Sequence, residues 1–299
     1  MMGVSYYLRG DLAAARNHLE RVLAAYAAAD DRSQTIRFQF DLLVSVRVFM
    51  AWILWLQGLP DQAIRMANNA VADARTANQA FSLCYALFLG ACPIAFLTGD
   101  LAAAELYVQR LVDQSTRYGL ALWSALGRAQ QGLLLIQRGD AAAGSALLRT
   151  GLDEAGAGAG LAMRLMTCLL WSTGPSRRAG QAAHALSALE DAIDRCNATE
   201  EYWAIAELLR VKGELIVMQD APGAVAMAEE LFRQALDWAR RQSALSWELR
   251  AATSLARLLG DDGRPTEAEA ILRPVYDRFT EGFGTADLKT AREVLDALR

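Results

Sequence analysis

The sequence has little of what catalysis by side chains requires. Its 2 histidines, His18 and His184, have no metal-ligating partner at helical spacing, so both are expected to be structural or solvent-facing. No GxxxxGK[ST] segment is present to cradle a phosphate. The glycine run 156–160 follows no strand-like segment, which favours a flexible joint over a nucleotide-binding loop. The sequence therefore predicts a protein that is not an enzyme and that has no metal site and no cofactor.

Cysteine, basic charge and long apolar runs are scarce as well. The 4 cysteines have no CxxC spacing, which favours buried reduced thiols and a cytoplasmic location. A net charge of −4 without a basic tail gives no general attraction for nucleic acid. The most apolar stretch, Leu42 to Leu56, is interrupted by Arg47 and is shorter than the ~20 residues that span a bilayer. We therefore expect neither a nucleic-acid partner nor a membrane segment. The cysteines are Cys84, Cys92, Cys168 and Cys196.

What the sequence does have is abundant alanine and leucine and a recurring glycine. Hydrophobic residues make up 54% of the chain, only 6 residues are proline, and strand-like alternation is rare, which favours closely packed helices. In the stretch 97–104, Gly99 is expected to end one helix, Asp100 to cap the next, and Ala104 to allow close helix contact. The same elbow occurs at Gly10, Gly58, Gly99, Gly139, Gly180, Gly223 and Gly263, with a small residue five positions later at Ala15, Ala63, Ala104, Gly144, Ala185, Ala228 and Ala268.

The spacing of these elbows predicts the fold. The glycines are 40 to 48 residues apart, and a period of about 41 made of two helices is typical of a helical solenoid. We predict an all-α, right-handed superhelical solenoid of about seven hairpins, closed by a C-terminal capping helix that begins at Thr285 with Asp287 in its first turn. The prediction is a single unit over 1–299 with soft joints near 156–160 and 174–180. The first hairpin is incomplete, which favours a fragment of a longer protein over an apolar edge covered by a partner or a second copy.

The repeat resembles the tetratricopeptide pattern over its full length. That pattern has a small residue seven positions before the elbow glycine, as at Gly132, and at Gly213 if three residues are inserted. It has a bulky apolar residue nine positions after the glycine, as at Leu148 and Phe232. Small residues against bulky ones let neighbouring helices interlock. The period is longer than the 34-residue pattern by about seven residues, or roughly one turn per helix.

Several segments resemble a narrower group of proteins. They are Leu209–Leu215, Phe232–Gln242, Ser246–Leu258, Pro274–Tyr276, Phe279–Phe283 and Thr285–Leu288, with Trp55–Ala63 nearer the N-terminus. They resemble the tetratricopeptide region that ends bacterial adenylate or guanylate cyclases and winged-helix transcription regulators carrying a signal-transduction ATPase. The resemblance implies a non-catalytic interaction or regulatory arm of such a protein, or a stand-alone relative. A cyclase or ATPase domain would then belong to a longer parent protein.

The resemblance also predicts where a partner binds. Tetratricopeptide proteins bind along a concave groove lined by the first helix of each hairpin. The groove positions of this chain predict an aromatic, apolar N-terminal half and a charged C-terminal half, which suits an amphipathic peptide or helix. The alternative is that the tryptophans are core residues and the arginines pair with nearby glutamates. The predicted partner-binding residues are Trp52, Trp55, Phe96, Leu133, Ile136, Arg210, Glu214, Arg250 and Arg257.

The identity of the ligand stays open between two classes. A partner protein or peptide, with a second copy of the chain as one option, is the first expectation. The alternative is a small-molecule effector, by analogy with the superhelical arm of the maltose-regulon activators, which would require a closed pocket in the groove.

Overall fold

The structure is a computed structural model that describes residues 2–28, 41–156 and 182–299. Within these ranges the chain is helical and contains no strand. Each helix from α7 to α9 and from α10 to α15 packs on its neighbour, which confirms the predicted all-α array of tetratricopeptide-like hairpins. The elements are α1 (Met2–Arg9), α2 (Leu12–Ala28), α3 (Leu42–Leu56), α4 (Pro60–Thr76), α5 (Ala80–Tyr85), the π-helical segment π1 (Ala86–Ala91), α6 (Cys92–Thr98), α7 (Leu101–Arg117), α8 (Ala121–Gln137), α9 (Ala141–Ala155), α10 (Ala182–Thr199), α11 (Ile205–Met218), α12 (Ala224–Arg241), α13 (Leu245–Asp261), α14 (Pro265–Tyr276) and α15 (Ala286–Ala297).

The elbow between α6 and α7 has the predicted geometry. Gly99 ends α6 in the left-handed conformation with φ 79°, which glycine adopts without a steric cost. The Asp100 carboxylate accepts a hydrogen bond from the Ala103 amide over 2.9 Å and so caps α7. Ala104 is fully buried. Positive φ angles are also found at Gly10, Gly58, Gly139, Gly223 and Gly263, whereas Gly180 lies outside the described residues.

Neighbouring helices interlock through the predicted pairs of small and bulky residues. A Cβ atom on Gly132 of α8 would lie 2.5 Å from the Leu148 backbone nitrogen and 2.6 Å from the Gly144 carbonyl oxygen of α9. A Cβ on Gly213 of α11 would lie 2.6 Å from the Phe232 ring of α12. The backbone approach at Gly132 is possible only because a glycine stands there.

The last helix begins where it was predicted to begin, with one correction to its capping. Thr285 is the N-cap residue of α15, as predicted, but its hydroxyl donates to the Gly282 carbonyl over 2.7 Å and does not cap the helix. Asp287 lies in the first turn, yet its carboxylate pairs with Arg250 of α13. The Asp287 carboxylate, which was predicted to favour the start of α15, therefore pairs with Arg250 on another helix. Of the predicted soft joints near 156–160 and 174–180, residues 157–160 and 174–180 lie outside the described residues.

The structure divides into two compact units, each built from more than one chain segment. Unit 1 comprises Met1–Ala14, Trp55–Pro60 and Arg177–Arg299, and unit 2 comprises Ala15–Leu54 and Asp61–Ser176. In unit 1 the elbows at Gly10 and Gly58 thus belong with the C-terminal hairpins. The prediction of one continuous array over the whole chain remains a prediction.

One apolar helix is longer than the stretch singled out from the sequence. Residues 80–98 form a continuous helix through α5, π1 and α6 that is long and apolar enough to cross a membrane, by length and composition. Residues that are buried inside the protein make up 72% of its most apolar window. A core helix of a folded domain meets the same criteria, and this burial favours that interpretation.

Candidate functional site

The end of α1 packs on the turn between α10 and α11 in unit 1. The rings of Tyr7 and Trp203 stack with their centroids 5.3 Å apart and an angle of 28° between their planes. The Trp203 amide donates to the Leu8 carbonyl over 3.1 Å. Arg9 and Glu200 form an ion pair with a closest distance of 3.3 Å. This contact thus combines ring stacking, a backbone hydrogen bond and an exposed ion pair.

The end of α3 packs on the start of α13 in the same way. Trp55 meets Trp247 edge to face, with ring centroids 4.7 Å apart. The Ser246 hydroxyl donates to the Trp55 carbonyl. A Cβ on Gly58 would lie 2.6 Å from the Leu245 side chain, so the glycine lets the turn approach closely. In both contacts an aromatic residue stands three positions before the elbow glycine, and a carbonyl at the helix end accepts a hydrogen bond.

Arg250 lies at the centre of the second contact. Its guanidinium carbon is 5.2 Å from the ring centroid of Trp55 and 5.3 Å from that of Trp247, close enough for cation–π attraction to both rings. Its Nε donates to Asp287 over 2.8 Å and its Nη1 donates to Glu207 over 3.1 Å. Only 8% of the Arg250 side chain is exposed, so its charge is compensated by the protein itself.

Glu207 and Arg210 on α11 extend this network. The Nε and Nη2 of Arg210 each donate to one carboxylate oxygen of Glu207 over 2.7 Å, a bidentate pair. The Nη1 of Arg210 also donates to Glu214 over 2.5 Å, and Ser254 of α13 donates to the same Glu214 oxygen over 2.8 Å. The network therefore joins α11, α13 and α15. We call these residues the buried charge cluster: Glu207, Arg210, Glu214, Arg250 and Asp287.

The charges in this cluster do not balance. Three carboxyl groups face two guanidinium groups. Burial would raise the pKa of Glu207, but the charges and hydrogen bonds of Arg210 and Arg250 outweigh it and hold that pKa below its ordinary value. Burial raises the pKa of Asp287 above its ordinary value, although Arg250 opposes the shift. The excess negative charge is thus least stable on Asp287.

In unit 2 the predicted site residue Trp52 is part of the core, where it contacts the π-helical segment. Pro93 has no amide hydrogen, so the Leu89 carbonyl, four residues before it in the helix, lacks its usual α-helical donor. Trp52 Nε1 donates to the Leu89 carbonyl over 2.7 Å, and Gln130 Nε2 donates to the Phe88 carbonyl over 3.1 Å. These side chains satisfy backbone oxygens at the π-helical segment, where the helical hydrogen-bond pattern is interrupted.

The predicted partner-binding residues are mostly inaccessible. Seven of these positions do not line an open surface, because helices of the same chain cover them, and their role in partner binding stays a prediction. Their exposed fractions are 2% for Trp52, 2% for Trp55, 4% for Phe96, 1% for Leu133, 0% for Ile136, 6% for Arg210 and 8% for Arg250. Glu214 is half-buried in the charge cluster and Arg257 is exposed. At the tryptophans and at Arg210 and Arg250, the structure has the core packing and glutamate pairing that were the alternative.

Sequence reasoning missed the residues that receive the two helix ends. Trp203, Trp247 and Asp287 carry these contacts, yet none was among the predicted site residues. A pattern that could have indicated them is the aromatic residue three positions before the first three elbow glycines, at Tyr7, Trp55 and Phe96. The contact pairs Tyr7 with Trp203 and Trp55 with Trp247 are nearly 200 residues apart, so helical periodicity contains no information about them.

The cysteines whose structure is described are buried thiols. Cys84, Cys92 and Cys196 form no disulfide. Burial raises the pKa of Cys84 to about 12 and that of Cys196 to about 11, so both thiols stay protonated at neutral pH. Cys168 lies outside the described residues. Among the described residues, no cluster of histidine, cysteine and acidic side chains could hold a metal ion.

Comparison with known proteins identifies the class of repeat. Residues 1–21, 44–68 and 249–274 match the tetratricopeptide repeat family model. Each matched segment includes one elbow glycine, namely Gly10, Gly58 or Gly263, and together the segments cover less than half of the chain. The chain therefore contains a tetratricopeptide-type repeat region, a class that generally mediates protein–protein interaction. No curated protein matches the chain.

Proposed function

We propose that this chain is a non-catalytic interaction module of a cytoplasmic bacterial signalling or transcription-regulatory protein, and that it binds a partner protein or peptide. The proposal rests on the packing of two helix ends, those of α1 and α3, against the C-terminal hairpins of unit 1. There the hairpins accept polypeptide through aromatic contacts at Trp203 and Trp247 and through hydrogen bonds to carbonyls. Binding of other proteins or peptides is the general use of tetratricopeptide repeats.

The surface left for a partner differs from the groove expected from the sequence. Arg257 is the predicted binding residue whose side chain is exposed, and it lies on α13 about one turn beyond Ser254 and two turns beyond the cluster residue Arg250. Arginine is enriched among residues that anchor protein interfaces. We therefore assign the partner surface to the exposed C-terminal end of α13 around Arg257, with the buried charge cluster as its support.

Crosslinking in bacterial cells tests this proposal. A photoreactive phenylalanine at position 257 of the full chain is expected to capture a discrete polypeptide. The same residue at position 292 is the control, because Arg292 is 73% exposed but lies on α15. Equal capture at both positions, or capture at neither, would contradict the proposal.

Native mass spectrometry of the purified chain addresses the alternative ligand. We expect the mass of the polypeptide alone, in one copy or two. A co-purified metabolite would instead favour a small-molecule effector that controls an attached cyclase or ATPase and DNA-binding domain.

A further inference from the structure

The turns that precede α11, α13 and α15 occupy equivalent places in unit 1. Each one joins the second helix of a hairpin to the first helix of the next. The first turn receives the end of α1 through Trp203, and the start of α13, directly after the second turn, receives the end of α3 through Leu245 and Trp247. Contact with these helix ends leaves Trp203 only 2% and Trp247 only 1% exposed. An aromatic residue in this place is therefore covered wherever a helix end is present.

The third turn, residues 277–285, has one covered and one uncovered ring: Phe279 is buried against the elbow at Gly58, whereas Phe283 lies beyond that contact. Phe283 is 52% exposed, and its ring centroid is 6.2 Å from that of Tyr276 at the end of α14. Pro60 packs against Gly282 in the same turn, so the third position directly adjoins the elbow that fills the second. The turn thus continues an established series of contacts beyond its second occupied position.

We infer that Phe283, with Tyr276 beside it, forms a third docking position that binds the aromatic-x-x-Gly end of a helix from a partner protein. The occupant is inferred from the two occupants present, because Tyr7 and Trp55 both stand three residues before a glycine with positive φ. Stacking on the exposed ring and a hydrogen bond to a helix-end carbonyl supply the recognition. This inference rests on the proposed function and names the chemistry of its partner.

A peptide of this chain serves as the probe. Residues 2–21 contain Tyr7, Arg9 and Gly10 of the first elbow, and a fluorescent copy is titrated with the full chain while its anisotropy is measured. We expect saturable binding that Phe283→Ala weakens at least tenfold. Tyr7→Ala in the peptide is expected to weaken binding to a similar degree. Because Phe283 is exposed, its replacement leaves the thermal midpoint of the chain unchanged.

The matched control is Met227→Ala, since Met227 is 56% exposed in the same unit but lies near the elbow end of a hairpin. It is expected to leave peptide affinity within twofold of the parent. No saturable binding, or binding that Phe283→Ala does not weaken, would overturn the inference; the second result would indicate exchange with the chain's own elbow at Trp203. A dimer of the full chain that Phe283→Ala dissociates would assign the position to a second copy and also overturn it. Capture of a partner from position 257 is independent of these results, so the proposed function and this inference can fail separately.

Discussion

At Gly132 a single hydrogen atom determines how closely α8 and α9 approach. The atoms nearest to a Cβ at this position belong to the backbone of Leu148 and Gly144, which cannot move aside as a side chain can. We predict that Gly132→Ala lowers the free energy of unfolding by about 1–3 kcal/mol through overpacking. Urea denaturation of the full chain measures the change.

The control for this prediction is another helical glycine. A Cβ on Gly260 of α13 would meet only the end of the Leu298 side chain, at 3.0 Å. Gly260→Ala is expected to be neutral or to stabilise the chain by up to about 1 kcal/mol, because alanine favours the helix. If both variants lose the same stability, close backbone contact is not the reason.

Substitution of Glu207 is expected to cost more stability than substitution of Asp287 in the buried charge cluster. Its fully buried carboxylate accepts two hydrogen bonds from Arg210 and one from Arg250. Glu207→Gln removes the charge that compensates both arginines and is predicted to lower the free energy of unfolding by about 3–5 kcal/mol. Asp287→Asn removes the excess negative charge and is expected to cost much less. Equal losses in urea denaturation would show that the charge imbalance has no energetic effect.

The same two residues predict opposite dependences on pH. Because the pKa of Glu207 is lowered in the folded chain from 4.5, its stabilising contribution is complete above that value and declines as the pH falls through the folded-state pKa. The stability difference between the parent and Glu207→Gln is therefore expected to shrink on acidification. For Asp287, whose folded-state pKa is raised, protonation favours folding, so the parent gains stability relative to Asp287→Asn as the pH falls. Two differences that change in the same direction would refute this assignment.

At the scale of elements, local patterns in the sequence predicted the helices well. Gly99, Asp100 and Ala104 specify an elbow through backbone conformation, capping and size, and all three properties act within a few residues. The burial and the contact partners of Trp55 and Arg250 could not be predicted in this way. Their partners Trp247, Glu207 and Asp287 are set by packing between distant segments, and no periodicity of one helix encodes that register. For the same reason the burial of seven predicted groove residues was not foreseen.

The hydrogen bond from Trp52 to the π-helical segment leads to a prediction about stability. Trp52→Phe removes the donor to the buried Leu89 carbonyl and is expected to cost about 1–3 kcal/mol. Pro93→Ala returns a backbone amide to this turn of the helix, so the cost of Trp52→Phe should be smaller in that background. A double-mutant cycle by urea denaturation measures this coupling, and strict additivity would contradict the assigned role of Trp52.

At the scale of the whole molecule, a repeat array gains its stability from contacts between neighbouring helices. The effect of a substitution should therefore be largest at the helices that contact it. We predict that Gly132→Ala raises amide hydrogen exchange most in α8 and α9, whereas Glu207→Gln raises it most in α11, α13 and α15. Hydrogen exchange with mass spectrometry, at a temperature where both variants stay folded, resolves these segments. A uniform rise across the described helices would mean that the chain opens as one cooperative body, and the charge cluster would then stabilise all of it and not only the surface around Arg257 that we assign to the partner.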